Sequence, residues 1–190
     1  MAKFFGNLHL VLLAGLILAI IVIVSVGNLA PGVPGLNQIF RWLHVFFGIT
    51  WIGLLYYFNF VQIPTMPKVP AELKPGVTKY IAPKALFFFR WAAALTVLTG
   101  LIVAHLSGYL VEALTFQKPF TLISVGIWLA LIMAFNVWVF IWPAQKIALG
   151  IVDASPEAKA AATTRAMIFS RTNTLLSFAM LYAMVTFNGG

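Results

Sequence analysis

Along the chain, five long apolar stretches alternate with short polar or proline-rich breaks, at about 8–27, 39–63, 84–108, 119–147 and 164–187. A hydrocarbon core of ~30 Å takes roughly 20 helical residues, so each stretch is long enough to cross it as one helix. The breaks are equally plain. Pro31, Gly32, Pro34 and Gly35 turn the chain between the first two stretches, and Pro64, Pro67, Pro70, Pro75 and Pro83 punctuate the loop between the second and third. Before the last stretch, Ser155 suits an N-cap, Pro156 the first helical position and Glu157 the positive end of the helix dipole. That predicts a final helix of about 30 residues whose Ala-rich first turns stand in water. The pattern as a whole predicts an all-α fold: an integral membrane bundle of five transmembrane helices forming one domain over residues 1–190, with no internal repeat.

Composition strengthens this reading. Hydrophobic residues make up 62% of the chain and charged residues 8%, against roughly 45–50% and 25% in soluble domains. With a mean hydropathy of +1.00, the solvent for most of the surface is the lipid bilayer. There are no cysteines, which excludes thiolate-ligated iron–sulfur clusters, disulfides and a covalently attached c-type haem. The net charge of +8 reads as loop sorting rather than nucleic-acid binding. Lys3, Lys68, Lys74, Lys79, Lys84, Arg90, Lys146, Lys159, Arg165 and Arg171 fall on one side of the bundle, and only Arg41 and Lys118 on the other. The N-terminus is therefore expected in the cytoplasm and the C-terminus in the periplasm, in a bacterial inner membrane. The first stretch is too long for a signal peptide and lacks an A-x-A-like site, so it reads as a retained span. No Asp or Glu falls within a stretch, which argues against a carboxylate-based pump. No phosphate-binding loop, Ser–His–Asp set or zinc-protease helix is present.

Polar residues inside the apolar stretches carry the candidate chemistry, because a polar side chain facing lipid is costly and points instead into the bundle. At ~100° per residue, Arg41, His44, Asn59 and Gln62 fall within an arc of about 60° on the second helix, with Gly48, Trp51 and Leu55 on nearly the same stripe. On the third helix Arg90 and His105 form a similar stripe. The antiparallel arrangement puts His44 and His105 at similar depth, whereas His9 belongs to neither cluster. Two imidazoles at one level on facing helices suit a b-type haem, each supplying one axial nitrogen. Arg41 is placed to pair with a propionate, and Gly48 lets a flat macrocycle approach. Copper is the rival metal, with Met180 and Met184 one turn apart at the histidines' depth. Interhelical hydrogen bonding explains the same histidines without any metal. Near the other surface, Asn59, Gln62, Gln145, Arg171 and Asn173 could form a polar pocket for a small substrate or quinone head, or simply bond across helices.

The second helix, from Arg41-Trp-Leu-His44 through Gly48, Trp51 and Asn59 to Gln62, resembles the opening signature of the membrane-bound urate oxidase N-terminal domain family. The stretches Asn136-Val-Trp138-Val-Phe-Ile-Trp142-Pro143-Ala-Gln145-Lys146 and Ser170-Arg171-Thr-Asn173-Thr174-Leu-Leu-Ser177, and the third helix from Arg90-Trp91 through Leu-Thr-Gly100-Leu, support the likeness, which spans roughly Arg41 to Thr186. The second helix is also faintly similar to haem-binding membrane proteins of the protoporphyrinogen oxidase type. The resemblance implies a membrane oxidoreductase or electron-transfer protein, with urate as a possible substrate. Family members linked to urate oxidation carry a C-terminal cytochrome c domain, and this sequence ends at Asn188-Gly-Gly without one. Electrons would then leave through a separate c-type cytochrome or a larger membrane complex. A second expectation, from small size and a Phe-rich exterior, is a non-catalytic accessory subunit of a respiratory or photosynthetic complex.

Overall fold

The computed structural model describes residues 1–27 and 29–187, leaving Asn188-Gly-Gly outside the described residues, and it is built of helices with no strand among those residues. Four helices are long and apolar enough to cross a membrane: α1 (Leu8–Ser25), α2 (Val33–Lys68), α3 (Lys74–Leu106) and α4 (Thr121–Ala148). A short helix, Leu110–Leu114, precedes α4, and α5 covers Pro156–Thr186. The 31 residues of α5 give it the length to span, but Arg165, Ser170, Arg171, Thr172, Asn173, Thr174 and Ser177 dilute its apolar content, and it is not one of the four.

The chain divides into two compact units, Met1–Ile39 and Phe40–Gly190. In the first, the Asn7 side chain caps α1 by accepting from the His9 and Leu10 amides at 3.1 and 3.3 Å. No residue of α1 is buried. Its sequence is apolar on every face, as suits a helix solvated by lipid.

The proline-rich segment between the second and third stretches is more helical than its prolines suggest. α2 continues through Pro64 and Pro67 to Lys68, and α3 already starts at Lys74. A π-helical segment precedes three of the internal prolines: Tyr57–Gln62 before Pro64, Val77–Ile81 before Pro83, and Asn136–Ile141 before Pro143. Proline lacks an N–H and its ring collides with the carbonyl four residues back. Widening the preceding turn relieves the collision while keeping the helix continuous.

Within the second unit, α2, α3, α4 and α5 close into a ring. Phe58 of α2 meets Phe89 of α3 edge-on at 5.6 Å, and Trp91 of α3 meets Trp138 of α4 at 5.4 Å. Asn136 of α4 donates to Asn173 of α5 at 2.9 Å. The Tyr56 hydroxyl of α2 lies 3.0 Å from the Ser177 hydroxyl of α5. The buried face of α5 is Ala162, Ala166, Ser170, Asn173, Ser177, Met180 and Ala183. Such small residues let helix backbones approach where lipid supplies no hydrophobic drive. Trp51, Leu55, Phe58, Phe89, Ala93, Met133 and Val137 fill one half of the ring.

The predicted start of α5 is present: Ser155 is the N-cap, its hydroxyl accepting from the Ala158 amide at 3.3 Å. Glu157 is held below the usual carboxylate range by its own backbone N–H and by a hydrogen bond from Ser155. A carboxylate with a lowered folded pKa stabilises the folded end above its unfolded pKa and loses that effect as pH falls through the folded value. The protection of the first-turn amides of α5, taken as observed exchange relative to the intrinsic rate at each pH, should therefore fall on acidification from neutral pH. Ser155→Ala should show lower protection already at neutral pH and a smaller further loss on acidification.

Candidate functional site

The other half of the ring borders a partly open cavity of about 900 Å³ walled by α2, α3, α4, α5 and the segment joining α3 to α4. Its wall is mainly apolar, with Ile52, Ile123, Ala130 and Met180 among the contributors. Arg41 and Tyr109 supply polar groups. Burial pushes the Tyr109 hydroxyl above its ordinary range, and the charge of Arg41 draws it partly back. Phe120 stacks on Tyr109 at 5.2 Å and Phe187 meets it edge-on at 5.4 Å, and all three belong to the wall.

His44 is the imidazole in this wall. Its Nδ1 lies 2.8 Å from the Thr96 carbonyl oxygen of α3. A carbonyl only accepts, so Nδ1 carries the proton and donates, and the neutral ring keeps its lone pair on Nε2. The ring reaches that carbonyl because position 100 is glycine. A Cβ on Gly100 would stand 2.7 Å from His44 Cε1 and 3.0 Å from Nδ1. Gly48, one turn along α2, also lines the cavity, and the nearest atom to a Cβ placed there is Thr96 Cγ2 at 3.8 Å. Trp51 completes the α2 stripe. It is fully buried in the wall, and its indole Nε1 has no hydrogen-bond partner. Leaving a buried N–H unpaired costs about 1–3 kcal/mol.

Of the four residues expected at a haem site, Arg41, His44 and Gly48 share this cavity and His105 does not. The His105 side chain is exposed. At ~100° per residue it stands about 180° around α3 from Thr96. The inward stripe of α3 is instead Phe89, Ala93, Thr96 and Val103, with Gly100 against His44. Nor are the two histidines level. His44 sits against Thr96 and Gly100, which puts His105 about 8–13 Å further along the α3 axis at 1.5 Å per residue. Met180 and Met184 are both in the wall with His44. Arg90 lies over the Trp142 ring at 3.9 Å, a cation–π contact that accounts for a charge within an apolar helix. His9 is exposed on α1.

The second polar group is only partly assembled. Asn173 is fully buried, accepts from Asn136 and donates to the Met133 carbonyl, each at 2.9 Å. Asn59 donates to the Leu55 carbonyl at 2.9 Å and to Ser170 at 2.8 Å. The Asn59 Oδ1 and Gln62 Oε1 oxygens are buried and unpartnered. Asn59 and the exposed Arg171 border a shallower depression of about 410 Å³.

Compared with known proteins, the chain matches no family model, no curated sequence and no solved structure. The chemistry must therefore be argued from the cavity itself. Among the described residues no three His, Cys, Asp or Glu side chains cluster as ligands for a metal ion. The donor set of the cavity is one oriented imidazole with two thioethers in the same wall.

Polarity and spacing in the sequence do not point to Thr96, nor to Gly100 outside the third-helix stretch of the family resemblance, nor to Tyr109. The signal that could have found the first two is the run of small residues at helical spacing on α3, which marks a close-packed face more reliably than its charged residues do.

Proposed function

We propose that this protein is a b-type haem-binding membrane protein serving electron transfer or an oxidoreductase reaction, with His44 as the imidazole that would hold the haem iron. The observation that carries the reading is the Nδ1–H of His44 held by the Thr96 carbonyl at 2.8 Å in the wall of a 900 Å³ apolar cavity. Ligating histidines characteristically donate their other ring N–H to a carbonyl or carboxylate, which fixes the tautomer and orients the ring. A cavity of this size lies within the usual 300–1,000 Å³ range for large ligands (about 900 Å³). Arg41 in the same wall provides a cation suited to a carboxylate of the ligand. When bound, haem would supply a one-electron couple. The protein would orient it and keep bulk water away. We place the five apolar stretches across a bacterial inner membrane with the N-terminus in the cytoplasm, which turns the Arg41 end of the cavity toward the periplasm. A c-type cytochrome there is the natural electron partner, and the likeness to the urate oxidase N-terminal domain family makes urate the first substrate to test.

The absorption spectrum of the purified protein from haem-replete cells tests the reading. A Soret band present in the parent and lost in His44→Ala, but retained in His105→Ala, is the expected result. A colourless parent protein that takes up no added haemin would overturn it.

A further inference from the structure

Two cations meet on one indole where α3 and α4 lie side by side. The Arg90 guanidinium of α3 is 3.9 Å from the centre of the Trp142 ring of α4, and the Lys146 ammonium, one turn further along α4, is 5.8 Å from the same centre. The two charges therefore lie within ~10 Å of each other, about one Debye length. Phe87 gives Arg90 a second ring at 5.4 Å. Neither ring offers an oxygen or nitrogen acceptor, since an indole N–H only donates. Among the described residues, neither side chain has an ion-pair or hydrogen-bond partner, although both are half-buried. None of their nitrogens is enclosed by protein, so the donors stay reachable from outside. The depth is set by α4. From Thr121, its first residue, to Trp142 is about 21 residues, or ~31 Å of rise, close to the thickness of a hydrocarbon core. With Thr121 at one surface of the bilayer, Trp142 and its two cations stand at the headgroup level of the other. One turn deeper, Trp91 of α3 and Trp138 of α4 meet edge-on, and Trp91 is 46% exposed.

We propose that this seam binds the headgroup phosphate of an anionic phospholipid, with Arg90 and Lys146 as the paired cations and the Trp91–Trp138 pair against the acyl chains. Charge complementarity selects the occupant. Two half-buried cations without a protein anion are neutralised by an anion from the surroundings, and at this depth the abundant anion is lipid phosphate. The planar guanidinium matches two phosphate oxygens at once, and the ammonium adds a point charge. Stacking on Trp142 holds the guanidinium in place beforehand, which lowers the entropy lost on binding. A zwitterionic headgroup carries its own cation and gains less from the pair. A free phosphate ion has no chains to lay on the tryptophans. None of Arg90, Trp142 and Lys146 lines the large cavity, so the inference is independent of what that cavity holds.

Native mass spectrometry of the purified, delipidated protein offered equal amounts of dioleoyl phosphatidylglycerol and dioleoyl phosphatidylcholine tests the site. The parent should retain phosphatidylglycerol in preference. Arg90→Gln/Lys146→Gln should cut that preference at least tenfold, at about fivefold for each basic residue beside anionic lipid. Lys146→Gln alone, which leaves the Arg90 contact with Trp142 intact, should cut it about fivefold and serves if the double variant fails to fold. Lys68→Gln/Lys79→Gln removes two exposed charges that rest on no ring and should leave the preference unchanged. A parent without preference would overturn the proposal. So would an equal fall in both double variants, which would show a general effect of net charge. Loss of the parent's preference in millimolar inorganic phosphate would also overturn it, by showing a site for the bare anion.

Discussion

Gly100→Ala is expected to abolish His44-dependent haem binding while leaving the helical bundle folded. The added Cβ would stand 2.7 Å from His44 Cε1 and 3.0 Å from Nδ1, well inside van der Waals contact. α3 is flanked by packed neighbours on this side, so the ring must turn away. Its 2.8 Å bond to the Thr96 carbonyl is then lost. The carbonyl keeps a second donor, the Thr99 hydroxyl at 3.1 Å, so the backbone is not stranded. Crowding of this kind costs about 1–3 kcal/mol, and replacing a mid-helix glycine with alanine returns about 1 kcal/mol. The thermal midpoint in detergent should therefore fall by no more than a few degrees, while the Soret band per mole of protein falls at least tenfold. Gly48→Ala is the control: its Cβ meets nothing closer than 3.8 Å, so its stability should hold. A Gly100→Ala protein with full haem content would show that the imidazole orientation seen here is not what holds the cofactor.

This pair of glycines also shows how far the sequence could be read. The stripe of Arg41, His44, Gly48 and Trp51 on α2 was legible from angular spacing alone, because a charged, a titratable and a small residue recur there against a run of Phe, Leu and Ile. On α3 the same logic favoured the wrong face. Arg90 and His105 stood out as polar, yet Arg90 is accommodated on the Trp142 ring and His105 is exposed. The inward face is Ala93, Thr96 and Val103 with Gly100, and hydropathy hardly distinguishes it from its surroundings. The capping of α5 by Ser155 was legible because the signal is local: a hydroxyl, a proline and a carboxylate in consecutive positions. The continuation of α2 through Pro64 was not. Whether proline breaks a helix or is absorbed by a wider turn depends on packing around Asn59 and Phe58, which spacing cannot reveal. The unpartnered Trp51 N–H is a purely three-dimensional fact, invisible until every neighbour is placed.

Asn173→Leu is expected to destabilise the bundle by about 2–3 kcal/mol, the largest stability loss of any single polar substitution proposed for this chain. Asn173 is fully buried, and one amide group makes two interhelical bonds, accepting from Asn136 and donating to the Met133 carbonyl, each at 2.9 Å. Removing it leaves the Asn136 side-chain amide without its acceptor and takes one of two donors from the Met133 carbonyl, which keeps the Asn136 backbone N–H. Hydrogen bonds between membrane helices average about 0.6 kcal/mol and reach about 1.7 kcal/mol; two lost together, with the Asn136 amide donor stranded, account for a loss of this size. The prediction has an internal check. In Asn136→Leu/Asn173→Leu the stranded amide donor is gone and only the Met133 carbonyl is left short, so the double variant should be less destabilised than the sum of the singles by about 1 kcal/mol. Thermal or denaturant unfolding in one detergent would measure all three. Strictly additive losses would mean that the two asparagines act independently, and the α4–α5 contact would then owe its stability to the small residues Ala162, Ala166, Ser170, Ser177 and Ala183 rather than to this amide pair.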